Sequence, residues 1–295
     1  EVDSLALANV QLNLQSALKN CFDKSRKRQN GFPKFKSAKH SRKSYTTNNQ
    51  KGTVAIIDDR YIKLPKIGKI KAVIHRKPDA DWTIKSATIS QDSDGKFYVS
   101  ILFEYEKAIT PAIISDNAVG IDYKSDGLYM DSNGYCPFGH KYYRQNQEKL
   151  AQAQRKLKHM AIGSNNYKKQ QCKIAKIQKH TSNQRLDFLH KESTKITNLY
   201  DIVCVETLDM KAMSNKAFGN GKATMDNGYG MFLNMLEYKL ANRGKYFVKV
   251  DKWYPSSQLC SCCGKQKKLT LADRIYKCDC GLTINRDHNA ATVSY

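Results

Sequence analysis

The residues best suited to chemistry lie near the end of the 295-residue chain, where two cysteine pairs precede a short acidic motif. The pairs are Cys260-x-x-Cys263 and Cys278-x-Cys280, with 14 residues between them and a glycine after each. Four thiolates at such spacing are typical of a tetrahedral zinc site. Because four sulfurs leave no open coordination position, we expect a structural zinc. The alternative is a group of unmetallated, buried thiols.

The second pair departs from the common spacing, since one residue rather than two separates Cys278 from Cys280. Cys262 is an additional thiol in the segment and an alternative ligand in place of Cys260 or Cys263. One clustered metal site and scattered thiols elsewhere indicate a reducing compartment. The scattered cysteines are Cys21, Cys136, Cys172 and Cys204.

Three carboxylates at the ends of predicted elements form a second candidate site. Asp122 closes an apolar strand that begins at Ala118, Glu206 closes the apolar run 202–205, and Asp287 lies at the start of a predicted final helix. Mg²⁺ prefers oxygen ligands, and nucleases that use two Mg²⁺ about 3.5–4 Å apart need several converging carboxylates. A single acid after a strand is an ordinary polar strand end. The pattern therefore favours a two-metal site without showing that the three acids meet.

The charge balance points to a polyanionic partner. Lys and Arg number 50 against 27 Asp and Glu, a formal net charge of +23, so nucleic acid is the first candidate. A solvated basic surface or a ribosome-associated protein is the alternative. The sequence contains no run of 18 apolar residues, so we expect no membrane-spanning helix and a cytoplasmic, nucleoid-associated protein. The chain begins at Glu1 inside an amphipathic pattern, which predicts that N-terminal sequence is missing.

Basic and aromatic side chains are interleaved in residues 31–45, after a predicted helix over residues 1–24. The aromatic residues are Phe32, Phe35 and Tyr45. Basic residues contact phosphates and aromatic rings stack on bases, so this composition suits nucleic acid. The alternative is a solvated loop that its aromatic residues anchor to the core. The candidate nucleic-acid-binding residues are Lys34, Lys36, Lys39, Arg42 and Lys43.

The remaining pattern predicts the elements that must position these groups. Five β-branched segments within residues 53–105 predict a small antiparallel barrel or sandwich. The basic stretches Tyr143–Met160 and Tyr167–Tyr200 predict an antiparallel helical hairpin, which either exposes a solvated face or cradles a duplex backbone. The polar segment 210–228 predicts a mobile loop. A helix over Tyr229–Asn242 and a strand over Tyr246–Val250 follow.

Several short motifs together resemble one known family, the TnpB or OrfB proteins of insertion-sequence transposons, which are similar to the type V CRISPR effectors. The match covers nearly the whole chain in order, and its N-terminal part includes Gly31-Phe-Pro-Lys-Phe-Lys36. The other motifs are Gly120-Ile-Asp122, Val205-Glu206-Thr-Leu208, Met231-Phe-x-x-Met-Leu-Glu-Tyr-Lys239, Pro255-Ser-Ser257 and Arg286-Asp287-x-Asn-Ala-Ala291.

The resemblance implies a mixed α+β fold. Its centre would be an RNase H-like (RuvC) nuclease domain with an inserted helical hairpin and zinc ribbon, preceded by a small antiparallel β-barrel of the wedge type. The implied divisions are a helical and basic recognition remnant over 1–50, the wedge-like barrel over 51–110, the nuclease core with hairpin and lid over 111–254, the zinc ribbon over 255–284, and the end of the core over 285–295.

The resemblance also implies an activity: RNA-guided, Mg²⁺-dependent cleavage of double-stranded DNA, in which a guide RNA pairs with the target strand. Two Mg²⁺ would be held by the catalytic acids Asp122, Glu206 and Asp287, and the structural Zn²⁺ by Cys260, Cys263, Cys278 and Cys280. Arg286 would either neutralise developing charge or pair with an acid. Asn289 would hydrogen-bond at the helix start rather than bind metal.

Two departures from the family pattern bear on these expectations. The family has Asp-Arg-Asp where this chain has Asn285-Arg286-Asp287, and it carries a further wedge strand and recognition helices ahead of the position of Glu1. The chain is therefore expected to be either a fragment or a degraded, truncated copy. The alternatives are a non-catalytic nucleic-acid-binding remnant and a transposase that transfers DNA strands. Whether the protein is a monomer or a dimer is left open.

Overall fold

A computed structural model describes residues 2–23, 31–35, 37, 41, 43–112, 116–215, 221–251, 253–270 and 273–294. The chain forms two compact units, Glu1–Lys107 and Ala108–Tyr295. Within the described residues, no helix is both long and apolar enough to cross a lipid bilayer.

In its described residues, the first unit contains one helix and two three-stranded antiparallel sheets, with strand orders β1-β5-β6 and β2-β3-β4. Val54, Ile62, Leu64 and Ala87 form its buried core. All five predicted strands are present, and β1 is a sixth that was not predicted. The closed barrel stays a prediction. The elements are α1 (Ser4–Phe22), β1 (Ser44–Asn48), β2 (Ala55–Ile57), β3 (Tyr61–Leu64), β4 (Gly68–Lys71), β5 (Thr83–Gln91) and β6 (Phe97–Glu104).

The second unit is built on a four-stranded sheet with the order β10-β9-β7-β8, in which β10, β9 and β7 are parallel and β8 is antiparallel. The strands of this sheet are β7 (Ala118–Tyr123), β8 (Tyr129–Asp131), β9 (Ile202–Glu206) and β10 (Tyr246–Val250). A separate two-stranded sheet of the same unit consists of β11 (Ile275–Lys277) and β12 (Thr283–Asn285). Its helices are α2 (Tyr142–Lys158), α3 (Asn165–Leu199), α4 (Met210–Met213), α5 (Gly221–Asn227), α6 (Tyr229–Ala241) and α7 (Arg286–Val293).

The two central strands are apolar because both of their faces are buried, as is usual for parallel strands. Val119 and Ile121 of β7 and Val203 and Val205 of β9 are each at most 1% exposed. They share one core with apolar residues of α3 and α6. The carboxyl ends of these parallel strands lie at the same edge of the sheet, so the acids that follow the apolar runs become neighbours.

The predicted mobile loop over 210–228 is wrong for its described part. This segment forms α4 and α5, and Thr224, Asp226 and Asn227 are buried. Polar residues are tolerated there because they have partners: Asp226 pairs with Arg185 at 3.0 Å and accepts a hydrogen bond from the backbone of Tyr143 at 2.9 Å. Residues 216–220 lie outside the described residues.

Basic side chains from the segment after α6 cap the carboxyl end of the 35-residue helix α3. Lys245 Nζ donates to the backbone oxygens of Thr197 and Tyr200, at 3.0 and 2.9 Å, and lies 3.0 Å from Asp201 Oδ1. The last turn of α3 contains no basic residue of its own. These contacts therefore complement the negative end of the helix dipole from another part of the chain.

Lys245→Met should lower the free energy of unfolding by about 2 kcal/mol, because it removes charge-assisted hydrogen bonds from a largely buried helix end. Urea denaturation measures the loss. Lys191→Met is the matched control: Lys191 pairs with Asp187 at 2.6 Å, but its side chain is 75% exposed, so the unfolding midpoint should not move. Equal effects of the two substitutions would contradict the capping role.

Candidate functional site

Asp122 and Glu206 come together at the carboxyl ends of β7 and β9. The strands are parallel and pair Ile121 with Val205, so the acids occupy the next position on each. Their side chains share a hydrogen bond. The backbone N–H of Tyr123 also donates to Asp122. The sequence therefore predicted two acids that the structure brings into direct contact.

The environment of this pair favours retention of a proton. Burial raises the pKa of Asp122 well above its usual range, and the negative charges of Glu206 and Asp287 raise it further. Burial also raises the pKa of Glu206, although hydrogen bonds from Asp122 and Ser256 oppose that shift. These directions are consistent with a protonated Asp122 that donates to Glu206. Carboxylate oxygens placed in this way could also hold a divalent cation.

Asp287 reaches the pair from the first turn of α7, a helix that packs on β7 and β8. Its side chain is 17% exposed, and the Arg286 guanidinium lies 3.6 Å from Asp287 Oδ1. Arg286 also donates to the backbone oxygen of Thr270 at 3.3 Å. The structure contains a pair between Arg286 and an acid, and the neutralisation of developing charge by Arg286 stays a prediction.

Asn285, one of the departures from the family pattern, is the N-cap residue of α7. Its side chain caps α7 by accepting hydrogen bonds from the backbone N–H groups of Asp287 and His288, at 3.0 and 3.4 Å. Asparagine and aspartate are equally good caps at this position. The helix start that carries Asp287 is therefore preserved with Asn285 in place of the usual aspartate.

The four predicted zinc ligands also come together. Among the described residues, Cys260, Cys263, Cys278 and Cys280 form a group whose ligand atoms all lie within 4.8 Å of one another. The sulfurs of Cys260 and Cys280 are 3.7 Å apart, and those of Cys263 and Cys278 are 3.5 Å apart. Tetrahedral zinc with bonds of about 2.3 Å requires sulfurs roughly 3.8 Å apart. The donor set and its spacing therefore fit zinc.

The ribbon around these cysteines is held by hydrogen bonds from a buried tyrosine and by a turn at a glycine. Tyr276 is fully buried, and its hydroxyl donates to the backbone oxygen of Gln258 at 3.0 Å and lies 3.2 Å from that of Lys265. Gly281, after the second pair, has a φ of +94°, which is a conformation that favours glycine. Cys262 is exposed and does not belong to the group of four.

Two residues tie the base of the ribbon to the acids, and the sequence reasoning gave them no such role. Ser256 is 3% exposed, and its hydroxyl lies 3.5 Å from Glu206 Oε1. Asn289 is fully buried: its Nδ2 donates to the backbone oxygen of Leu259 at 2.6 Å, and its Oδ1 accepts from the backbone N–H of Ser261 at 3.0 Å. The motif Pro255-Ser-Ser257 was the available signal for Ser256.

The predicted basic, aromatic segment is only partly described. Lys36, Lys39 and Arg42 lie outside the described residues, whereas Lys34 and Lys43 are exposed. Phe32 is 67% exposed and Phe35 is fully exposed. These two rings do not anchor the segment to a core, so their faces are accessible for stacking. Nucleic-acid binding here stays a prediction.

Comparison with known proteins is consistent with this architecture. A family model described as "Probable transposase" matches residues 100–217, and one described as "Cas12f1-like, TNB domain" matches residues 229–293. Together these matched segments contain both strand-end acids, all four clustered cysteines and Asp287. The two models thus cover most of the second unit.

Full-length relatives extend the match to both units. A "Putative RNA-guided DNA endonuclease" of Streptomyces pristinaespiralis is 35% identical over 99% of this chain and 70% of its own length. The "Putative RNA-guided DNA endonuclease InsQ" of Escherichia coli (strain K12) is 31% identical over 95% of this chain and 70% of its own length.

A solved structure shares the fold. The Cas12f1 chain in a cryo-EM structure of a Cas12f1–sgRNA–target DNA complex superposes with a TM-score of 0.63 at 15% identity, over 99% of this chain and 71% of that one. The mixed α/β architecture is therefore shared with Cas12f1. From the matching motifs, the family models and the full-length relatives, this chain belongs to the TnpB (OrfB) family.

Proposed function

We propose that this protein is an RNA-guided DNA endonuclease in which Asp122, Glu206 and Asp287 hold the divalent metal ions. The observation that carries the proposal is the contact between two partly buried carboxylates at parallel strand ends, with a third acid close enough to raise the pKa of Asp122. Such an arrangement of carboxylates is electrostatically unfavourable without a cation. Ionisable groups held in unfavourable surroundings are typical of a functional site. The names of the two relatives supply the substrate class.

The donor set suits Mg²⁺. All three side chains offer carboxylate oxygen, which is the ligand type that this hard cation prefers. When bound, two such ions would activate the attacking water and stabilise the leaving 3′ oxygen. The three acids do not belong to a single group of ligand atoms within 4.8 Å among the described residues. Ligands that surround two ions need not lie so close together.

The neighbouring side chains have separate tasks in this proposal. Asp122 must be ionised to bind metal, and because the pKa of its carboxyl is raised, metal competes there with a proton. The Ser256 hydroxyl favours the ionised form of Glu206 and fixes its orientation. Arg286 holds the Asp287 carboxylate while its guanidinium is itself held by the backbone of Thr270. Rigid strand ends and a capped helix keep the three acids in place.

The formal charge of +23 fits two polyanionic partners, a guide RNA and a DNA duplex. In RNA-guided nucleases, base pairing reads the sequence while the protein contacts the backbone. A basic chain with exposed lysines is suited to that second task. We propose in addition that the four clustered cysteines hold a structural zinc.

Purification after expression beside the native transposon end tests the proposal. The protein should co-purify with one defined RNA, and this complex should cut a plasmid that matches the RNA only when Mg²⁺ is present. A complex that binds RNA and DNA but never cuts would favour the non-catalytic remnant. Joined strands among the reaction products would favour a transposase that transfers strands.

A further inference from the structure

A cavity of about 360 Å³ is lined by both sheets of the first unit. Its lining is mostly apolar: Ile56 and Ile62 belong to the sheet β2-β3-β4, and Val99 and Ile101 belong to β6. Protein cores are close-packed and contain few voids larger than a water molecule. A cavity of this size falls instead within the range of ligand sites, about 300–1,000 Å³.

A cluster of planar side chains lines the same cavity. Arg76 and Trp82 come from the segment between β4 and β5, and Phe103 comes from β6. The Arg76 guanidinium lies over the Trp82 ring, 5.3 Å from its centroid, and the Trp82 and Phe103 centroids are 5.6 Å apart. Trp82 also stacks on Tyr105, with centroids 4.5 Å apart and 9° between the ring planes. The apolar cavity therefore contains both aromatic and guanidinium groups.

The backbone holds this cluster in place. The register between β5 and β6 shifts between Ile84 and Ser86, directly beside the pair that Ile84 forms with Phe103. An extra residue in one strand bends that strand and redirects its side chains, and such bulges are common next to functional sites. The backbone N–H of Trp82 donates to the carbonyl oxygen of Asp79 at 3.1 Å. The positions of the two rings are thus fixed by the sheet and by the turn before it.

The chain around the cavity is strongly basic. Residues 60–77 contain seven Lys and Arg and no Asp or Glu. Lys69 and Lys71 of β4, at the start of the segment that leads to Arg76, are exposed. Lysine and arginine at a surface bind phosphate groups, whereas aromatic rings and guanidinium planes stack on bases. A ligand with a planar ring and an adjoining phosphate matches both features.

We propose that this cavity binds one unpaired nucleobase of an RNA strand, which stacks within the cluster of Arg76, Trp82 and Phe103 while the lysines of β4 contact the adjoining phosphates. This inference rests on the proposed RNA partner. RNA is favoured because its loops and bulges present splayed-out bases that stack on aromatic rings and arginine. The bases of a DNA duplex are paired, and flipping one out costs free energy.

Tryptophan fluorescence tests the inference in the full chain, freed of co-purified RNA. The protein contains two tryptophans, Trp82 and Trp253, so Trp253→Phe leaves Trp82 as the reporter. Trp253 is 80% exposed, and this exchange should not disturb folding. A short oligoadenylate RNA should quench Trp82 in a saturable way, because a base stacks in the cavity. The same strand annealed to its complement should leave Trp82 unquenched.

Arg76→Gln and Lys77→Gln, each combined with Trp253→Phe, separate stacking from charge. Both exchanges remove one positive charge from neighbouring exposed residues. Arg76 lines the cavity, whereas Lys77 does not and pairs with Asp59. The RNA concentration at half-maximal quenching should rise about fivefold in Arg76→Gln, through loss of a cation–π contact, and should stay at the parent value in Lys77→Gln.

Equal effects of the two exchanges, or equal quenching by single-stranded and duplex RNA, would overturn the inference. Stronger quenching by a DNA strand of the same sequence would assign the cavity to unwound DNA and overturn the choice of RNA. Binding of the RNA, measured by filter retention, without quenching of Trp82 would refute the base pocket and leave the proposed function intact. A wild type that binds no RNA would refute both.

Discussion

DNA cleavage by Asp122→Asn is expected to fall on the order of 1,000-fold or more, with RNA and DNA binding unchanged. The carboxylate is replaced by an amide of the same shape, so the site loses a charged metal ligand and little else. Charge stabilisation by a bound metal is worth several kcal/mol in the transition state, and each 1.4 kcal/mol is about tenfold in rate. Single-turnover cleavage of a guide-matched plasmid measures the effect.

Asp126→Asn is the control for this prediction. Asp126 is exposed and lies four positions further along the chain, so the same chemical change there should leave cleavage at the wild-type rate. Comparable losses in both variants would indicate a general electrostatic effect of removing negative charge. Full cleavage by Asp122→Asn would exclude Asp122 from the metal site.

Asp122→Asn should also stabilise the metal-free protein at neutral pH. Because the pKa of Asp122 is raised on folding, the folded state binds more protons than the unfolded state between the two pKa values. Stability therefore falls as the pH rises through that interval. The amide introduced by Asp122→Asn can still donate to Glu206, and it does not ionise. The thermal midpoint of this variant should exceed that of wild type in a chelator, and the difference should narrow toward acidic pH.

Loss of zinc should have the second largest effect. Cys260→Ser combined with Cys278→Ser is expected to release the metal and to lower cleavage by roughly 100-fold or more. Metal binding supplies much of the folding energy of small zinc sites, and a displacement of about 1 Å in an active site can cost 100-fold. Zinc content and cleavage rate are measured on the same preparation.

Two further variants test whether the loss of zinc lowers cleavage through the contact between the ribbon and α7. Cys262→Ser alters an exposed cysteine that lies between Cys260 and Cys263 but outside the group of four, so this variant should retain both zinc and cleavage. Asn289→Ala should retain zinc but lose part of the cleavage, since it removes the hydrogen bonds to Leu259 and Ser261 that join the ribbon to α7. Full activity in the zinc-free double variant would refute the coupling between the ribbon and Asp287.

The central strands and their acids could be predicted from local pattern, whereas the contact between the acids could not. A run such as Val203-Cys-Val205 indicates a strand buried on both faces, and the acid after it marks the strand end. That β7 and β9 are neighbours depends on pairing between segments about 80 residues apart. Periodicity within one segment contains no information about that pairing.

The sequence reasoning failed where polar residues are buried through distant partners. The polar segment around α5 resembles a loop because its ion pair, Asp226 with Arg185, joins residues 41 positions apart. Strand β1 was missed for the same reason, because its polar residues have partners far along the chain. The hydroxyl oxygens of Thr46 in β1 and Thr88 in β5 are 2.8 Å apart.

The positions of the three acids in the chain have a consequence for folding. Asp122, Glu206 and Asp287 belong to three separate segments, each more than 80 residues from the next. Contacts between residues so far apart form late, because loop closure must precede them. Strands and helices are therefore expected to form before the three acids come together. Under the proposed function, this order of the acids in the chain should delay DNA cleavage until all three segments have been synthesised and have folded.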